Sequence, residues 1–140
     1  MYFGRRSGTF RTDPGGVAAL EFAMISPILL LLLFGTMRTG HAFGVQHALS
    51  QLAADAARAA MPEPTAIKRN AVVRRYVDQS AGTYPLLVAE RVGCEVEEDG
   101  ERLTVRVFMN VSHIPTVPIL SAVYEFPQVQ SASAVIGVQR

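Results

Sequence analysis

One carboxylate, Glu21, stands inside an apolar run from Val17 to Met37 (VAALEFAMISPILLLLLFGTM). At the centre of a membrane-spanning helix an ionised carboxylate costs about 2.5–3.5 kcal/mol, and less near an interface, where it can snorkel. A partner of opposite charge would offset that cost. Were the chain cut between Gly16 and Val17, Val17 would carry a free α-ammonium and Glu21 would become the fifth residue. Positions one and five lie one helical turn apart. The new terminus and the carboxylate could then neutralise each other within one chain or between two.

The remaining reactive side chains point to no second centre. His41, His47 and His113 lack metal-ligand spacing, and the first two fall on different faces of a helix. No nucleophile motif, P-loop or dinucleotide fingerprint occurs, so no enzyme, cofactor or metal is expected. Cys94 is the single cysteine; it cannot close an intramolecular disulfide and reads as a small buried apolar residue. Lys68, Arg69, Arg74 and Arg75 form the basic cluster, read as a solvated helix face. The net charge is +1 and the cations are scattered, which argues against nucleic acid as a partner.

The apolar run sets the architecture. Residues 17–37, at about 1.5 Å each, cover roughly 30 Å, the thickness of a bilayer's hydrocarbon core. A domain this small cannot surround a helix that is apolar on every side. A cleaved secretory signal would be shorter and end at a small-residue site, which is missing at Thr36-Met37-Arg38. A retained transmembrane helix is therefore expected. Arg5, Arg6 and Arg11 in the polar, Gly-rich leader (residues 1–16) place the N-terminus in the cytoplasm by the positive-inside rule.

Beyond the span, Ala42, Val45, Leu49, Leu52, Ala56 and Ala59 recur at three- and four-residue steps. They predict an amphipathic helix over 41–61 that continues the span with a break at Gly40 or Gly44. Asp55 and Arg58 are placed to pair on its solvated face. Pro62 and Pro64 end it, and a second helix over about 65–80 follows, with Ile67, Ala71, Val72, Tyr76 and Val77 inward and Gly82 closing it. Asp99-Gly100 between alternating apolar residues predicts a β-hairpin with a two-residue type I′ turn. If those two residues form the loop, Val96 opposes Leu103, Cys94 opposes Val105, Val92 opposes Val107 and Glu97 meets Arg102. Pro115 and Pro118 bound an irregular segment, and residues 128–138 supply a third strand, which a marginal two-stranded hairpin needs. The fold class is α+β and membrane-anchored. A long N-terminal transmembrane helix continues into an amphipathic helix, and a small domain follows with a second helix and a three-stranded antiparallel sheet.

Gly15-Gly16-Val17-Ala18-Ala19-Leu20-Glu21-Phe22 resembles the type IV prepilin processing signature: a basic leader, a Gly before the scissile bond, a Glu at the fifth mature position, then a hydrophobic helix. The longer run GVAALEFAMISPILLLLLFG is similar to the TadE-like family of pseudopilins from the tight-adherence (Tad/Flp) pilus system. Glu21-Phe22-Ala23, Pro27, the Leu tract and Phe34-Gly35 carry the likeness, and the Ala-Ala-Arg-rich stretch after the span extends it. Members often have an acidic residue shortly after the Phe-Gly pair; this chain has Thr36-Met37-Arg38 instead.

The resemblance implies a leader, residues 1–16, removed by a prepilin peptidase between Gly16 and Val17. It also implies a transmembrane helix over 17–37 and an extracytoplasmic α+β domain over 38–140. Glu21, Phe22 and Pro27 would serve assembly, Glu21 by neutralising a neighbouring N-terminus and Pro27 by kinking the helix. The partners implied are other pilin and pseudopilin subunits, the inner-membrane Tad assembly platform and the membrane itself. The residues alone also allow an unprocessed single-pass membrane protein whose extracytoplasmic domain binds a partner.

Overall fold

The computed structural model describes residues 14–112 and 127–138. The arginines of the leader and the segment holding His113, Pro115 and Pro118 lie outside the described residues. The chain divides into two units, Met1–Met37 and Arg38–Arg140. One helix, α1 (Pro14–Ala60), contributes to both.

In the first unit α1 opens on Pro14. Proline suits the first helical position, where its fixed φ is helical and its missing N–H would have had no acceptor. The helix takes in Gly15 and Gly16, which composition assigns to a flexible leader. Once a turn has formed, each further residue adds a hydrogen bond, and this overrides glycine's weak preference. The large apolar side chains from Val17 to Met37 are exposed all round the helix, and it is long and apolar enough to cross a membrane.

In the second unit the predicted break is absent, and α1 runs without interruption through Gly40 and Gly44. Gly44 serves packing and not a break: a Cβ there would meet Leu86 Cδ1 at 2.5 Å, so the glycine lets that side chain close over the helix. Leu86 is itself unusual. It follows Pro85 in a turn closed by Leu87 N–H donating to the Tyr84 carbonyl, and its φ is 67°. A type II turn asks for glycine or asparagine at this position.

The amphipathic stripe of α1 is wider than its spacing suggests. Val45, Ala48, Leu49, Leu52, Ala53, Ala56, Ala57 and Ala60 are all buried, whereas the expected Ala42 and Ala59 are only half-buried. Residues from a second helix and from the sheet join the same core and cover more of the circumference.

That second helix, α2, spans Ala66–Ser80, with the Thr65 hydroxyl capping Lys68 N–H. Its phase agrees with expectation in part: Val77 is buried and Val72 and Tyr76 pack against the core. Val73 and Val77 face the core together with Arg69, while Ile67 is 84% exposed and Ala71 is also exposed. Arg69 decides the phase. Its Nε donates to Glu98 Oε2 at 3.0 Å, its Nη2 to Glu98 Oε1, and its Nη1 to the Glu63 carbonyl at 2.7 Å. An arginine held on three acceptors keeps its face of the helix inward, although the spacing of Ile67 and Ala71 argued for another.

Three antiparallel strands follow, β1 (Val92–Asp99), β2 (Arg102–Asn110) and β3 (Val129–Gly137), with β2 central. The hairpin register is two residues away from the expected one. Asp99 pairs with Arg102, Val96 with Val105, Cys94 with Val107 and Val92 with Met109. The loop is therefore Gly100-Glu101, and among its residues Gly100 alone has a positive φ, 55°. A type II′ turn needs that conformation only at its first central position, while type I′ needs it at both, and Asp99 is spared the strain. A shift of two keeps every side chain on its face. Leu103, Val105, Val107 and Met109 remain buried beneath the helices. On the opposite face the Phe108 ring lies over Gly93, where a Cβ would meet its Cζ at 2.5 Å.

Candidate functional site

The first unit concentrates the residues that the sequence singles out. Gly16 and Val17 lie in the first turn of α1, Glu21 and Phe22 about one turn further on, and Pro27 inside the helix. Phe22 is 66% exposed. Val17 and Glu21, four apart, share one face of a helix whose apolar surface the described residues leave uncovered. The Glu21 carboxylate forms no ion pair among the described residues.

Pro27 removes one N–H from the helical ladder, and the carbonyl it strands is that of Ala23, four residues back. Ser26 Oγ donates to that carbonyl at 3.4 Å. At the end of the apolar run, Thr36 Oγ1 lies 3.0 Å from the Leu32 carbonyl and 2.9 Å from that of Leu33. Each hydroxyl, and the carbonyl that Pro27 strands, thus finds its partner inside the helix. The contribution of Ser26 was missed from sequence. The dipeptide Ser26-Pro27 inside an apolar helix was the available signal.

The polar groups of the second unit serve its packing. Tyr84 Oη donates to Asp55 Oδ2 at 2.6 Å, and Asp55 also pairs with Arg58 at 3.3 Å, as its spacing suggested. Burial foremost, and then the hydrogen bond to Asp55, push the Tyr84 hydroxyl well above its ordinary value. The hydrogen bond from Arg69 holds the Glu98 carboxyl below the usual carboxylate range. Arg69 therefore leaves the solvated basic cluster in which its sequence neighbours suggested it belonged. Its spacing of four from Val73, itself four from Val77, was the clue. Burial raises the Cys94 thiol, with Arg74 pulling it down and Asp78 pushing it up. Cys94 lies on the inner face of the sheet but is only half-buried, not fully buried as expected. His47 meets Gln51 Nε2 at 2.8 Å, and no metal-holding cluster occurs among the described residues.

Comparison with known proteins converges on the same stretch of chain. The family model described as TadE-like protein matches residues 16–58, from Gly16 through the apolar run and most of the amphipathic half of α1. No curated protein and no solved structure matches the chain.

Proposed function

We propose that this chain, TadE-like over residues 16–58, is a pseudopilin-type component of a Tad pilus, processed after Gly16 and assembled through its N-terminal helix. The observation that carries the proposal is the coincidence of that match with a helix whose apolar half has its side chains exposed all round. Such a surface requires lipid or other helices around it. A role as a structural pilus component, and not as an enzyme, accords with the family.

In this reading the leader lies in the cytoplasm and the domain after the span lies outside, with the helix held in the inner membrane. A prepilin peptidase cuts between Gly16 and Val17. The α-ammonium so created meets a Glu21 carboxylate, its own or that of a neighbouring subunit, and both charges become tolerable in the apolar layer. The bond to be cut lies in the first turn of α1, where the leading N–H groups lack intrahelical acceptors. Local unwinding there costs few hydrogen bonds. Phe22 and the face around Pro27 pack against other pilin and pseudopilin subunits, and the inner-membrane Tad platform receives the assembled helices.

Intact mass and N-terminal sequencing of the chain from cells with and without the peptidase test the reading. A mature chain beginning at Val17 is expected only when the peptidase is present. Gly16→Leu blocks the cut, while Glu21→Ala leaves cleavage intact and weakens assembly. An uncut leader in peptidase-bearing cells would defeat the processing claim. Normal assembly of Glu21→Ala would defeat the charge-neutralisation account.

A further inference from the structure

The outer edge of β3 is built to accept another strand. Alternate residues of a central antiparallel pairing direct their main-chain groups to one neighbour or the other. Val111 N–H donates to the Gln128 carbonyl and Val138 N–H to that of Glu101. With the β2–β3 register, these two bonds show that the even-numbered residues of β3 bond to β2. The odd-numbered residues, Val129, Ser131, Ser133, Val135 and Gly137, turn their N–H and C=O groups away from the sheet. One of these groups is occupied: Gln46 Nε2 of α1 donates to the Ser131 carbonyl at 2.9 Å. From Ser133 to Gly137 the outward groups have no partner among the described residues.

An edge of this kind is usually blunted by lysine, proline, inward charge or a bulge. The sequence of β3, VQSASAVIG, holds no charge and no proline, and its register with β2 is unbroken from Val129 to Gly137. The opposite edge of the sheet differs. β1 ends in Glu95, Val96, Glu97, Glu98 and Asp99, so two copies meeting there would set like charges against each other.

We propose that β3 pairs antiparallel with the β3 of a second copy of this chain, about a two-fold axis at Val135. The position of the axis follows from Gln46. With Ser131 already engaged, the open stretch is 133–137 and its centre is Val135. The pairing sets Val135 against Val135 and Ser133 against Gly137, and it opposes no charges. It satisfies every open group of the stretch and joins the two sheets into one. A different protein would need an equally neutral strand to fit, whereas a second copy supplies one by identity.

The full-length chain in detergent micelles provides the test. Paired residues of this type lie about 5.5 Å apart at Cα, within disulfide range. In a Cys94→Ala background, Val135→Cys should form a covalent homodimer on mild oxidation with copper–phenanthroline, and Val129→Cys should not. Val135→Pro removes an N–H that makes no bond within the chain, at an edge position where proline is tolerated. It should leave the circular dichroism spectrum unchanged and weaken self-association about tenfold or more by sedimentation. Val135→Lys should have the same effect if the proline variant fails to fold. Equal crosslinking from both cysteine positions, or unaltered sedimentation of Val135→Pro and Val135→Lys, would overturn the proposal. Amide protection at Ser133, Val135 and Gly137 that is independent of protein concentration would mean that another occupant covers the edge, and would also overturn it.

Discussion

The two halves of α1 share one uninterrupted helical backbone and are both rich in apolar residues, yet their side chains meet opposite fates. From Val17 to Met37 the large apolar groups stay exposed, whereas from Val45 to Ala60 the inner face is fully covered. The first half is leucine, isoleucine, methionine and phenylalanine on every side. The second alternates small and large apolar residues on one stripe and keeps Gln46, His47, Ser50 and Gln51 on the other. An all-round apolar helix cannot be satisfied by a sheet and a short helix, which can cover only part of its circumference. None of the described residues buries it. A striped helix needs only a local partner, and alanine lets that partner approach closely.

The contrast predicts unequal responses to the same change. Leu52→Ala, in the covered half, should cost about 2–5 kcal/mol of domain stability, read as a lower urea midpoint in detergent. Leu31→Ala should leave that midpoint unchanged. Equal losses from the two would show that the domain also covers the apolar half. Leu30→Arg reverses the test: it should disfavour membrane insertion by about 2.5–3.5 kcal/mol, measured as a larger alkali-extractable fraction, while sparing the fold of the domain.

Smaller effects probe what holds the covered half in place. Arg69→Met strands the Glu98 carboxylate and should destabilise the domain at pH 7, by less than Leu52→Ala. The lowered pKa of Glu98 means that its contribution is complete above the ordinary carboxylate value, about 4.3. It is lost as the pH falls through the lowered value of the folded state. Acid should therefore weaken the native domain, and Arg69→Met should abolish or reverse that trend across pH 2–5 in thermal melts. The smallest effect is expected at Gly44. Gly44→Ala alone forces Leu86 aside and loses stability, but combined with Leu86→Ala it should recover about 0.5–1 kcal/mol from better helix propensity. A simple sum of the two single changes would show that the packing of Leu86 does not explain the glycine.

Much of this was readable from residue order. The apolar run, the amphipathic continuation, the second helix capped near Thr65 and the hairpin at Gly100 all announce themselves through period, caps and turn chemistry. So does the third strand, because residues 128–138 are rich in β-branched and small residues and a two-stranded hairpin alone is marginal. Gly16, Val17, Glu21, Phe22 and Pro27 stand out in the sequence as well, since a carboxylate in an apolar run is conspicuous, and their roles rest on the proposal above.

Other features could be settled only when distant parts of the chain met. Val72, Tyr76 and Val77 of α2 were legible, but Arg69 in place of Ile67 and Ala71 was not, because an arginine looks solvated until a glutamate 29 residues away appears beside it. The hairpin slipped by two residues because glycine's left-handed φ is best placed first in the loop, and the alternation of faces is indifferent to a shift of two. The close approach of Leu86 to Gly44 depends on the fold, and the open edge of β3 on where Gln46 reaches. Local order in the sequence determines which elements form and which faces are apolar, because those depend on neighbours one turn or one residue away. Rotation, register and the leftover main-chain groups depend on contacts across the chain, and no local pattern encodes them.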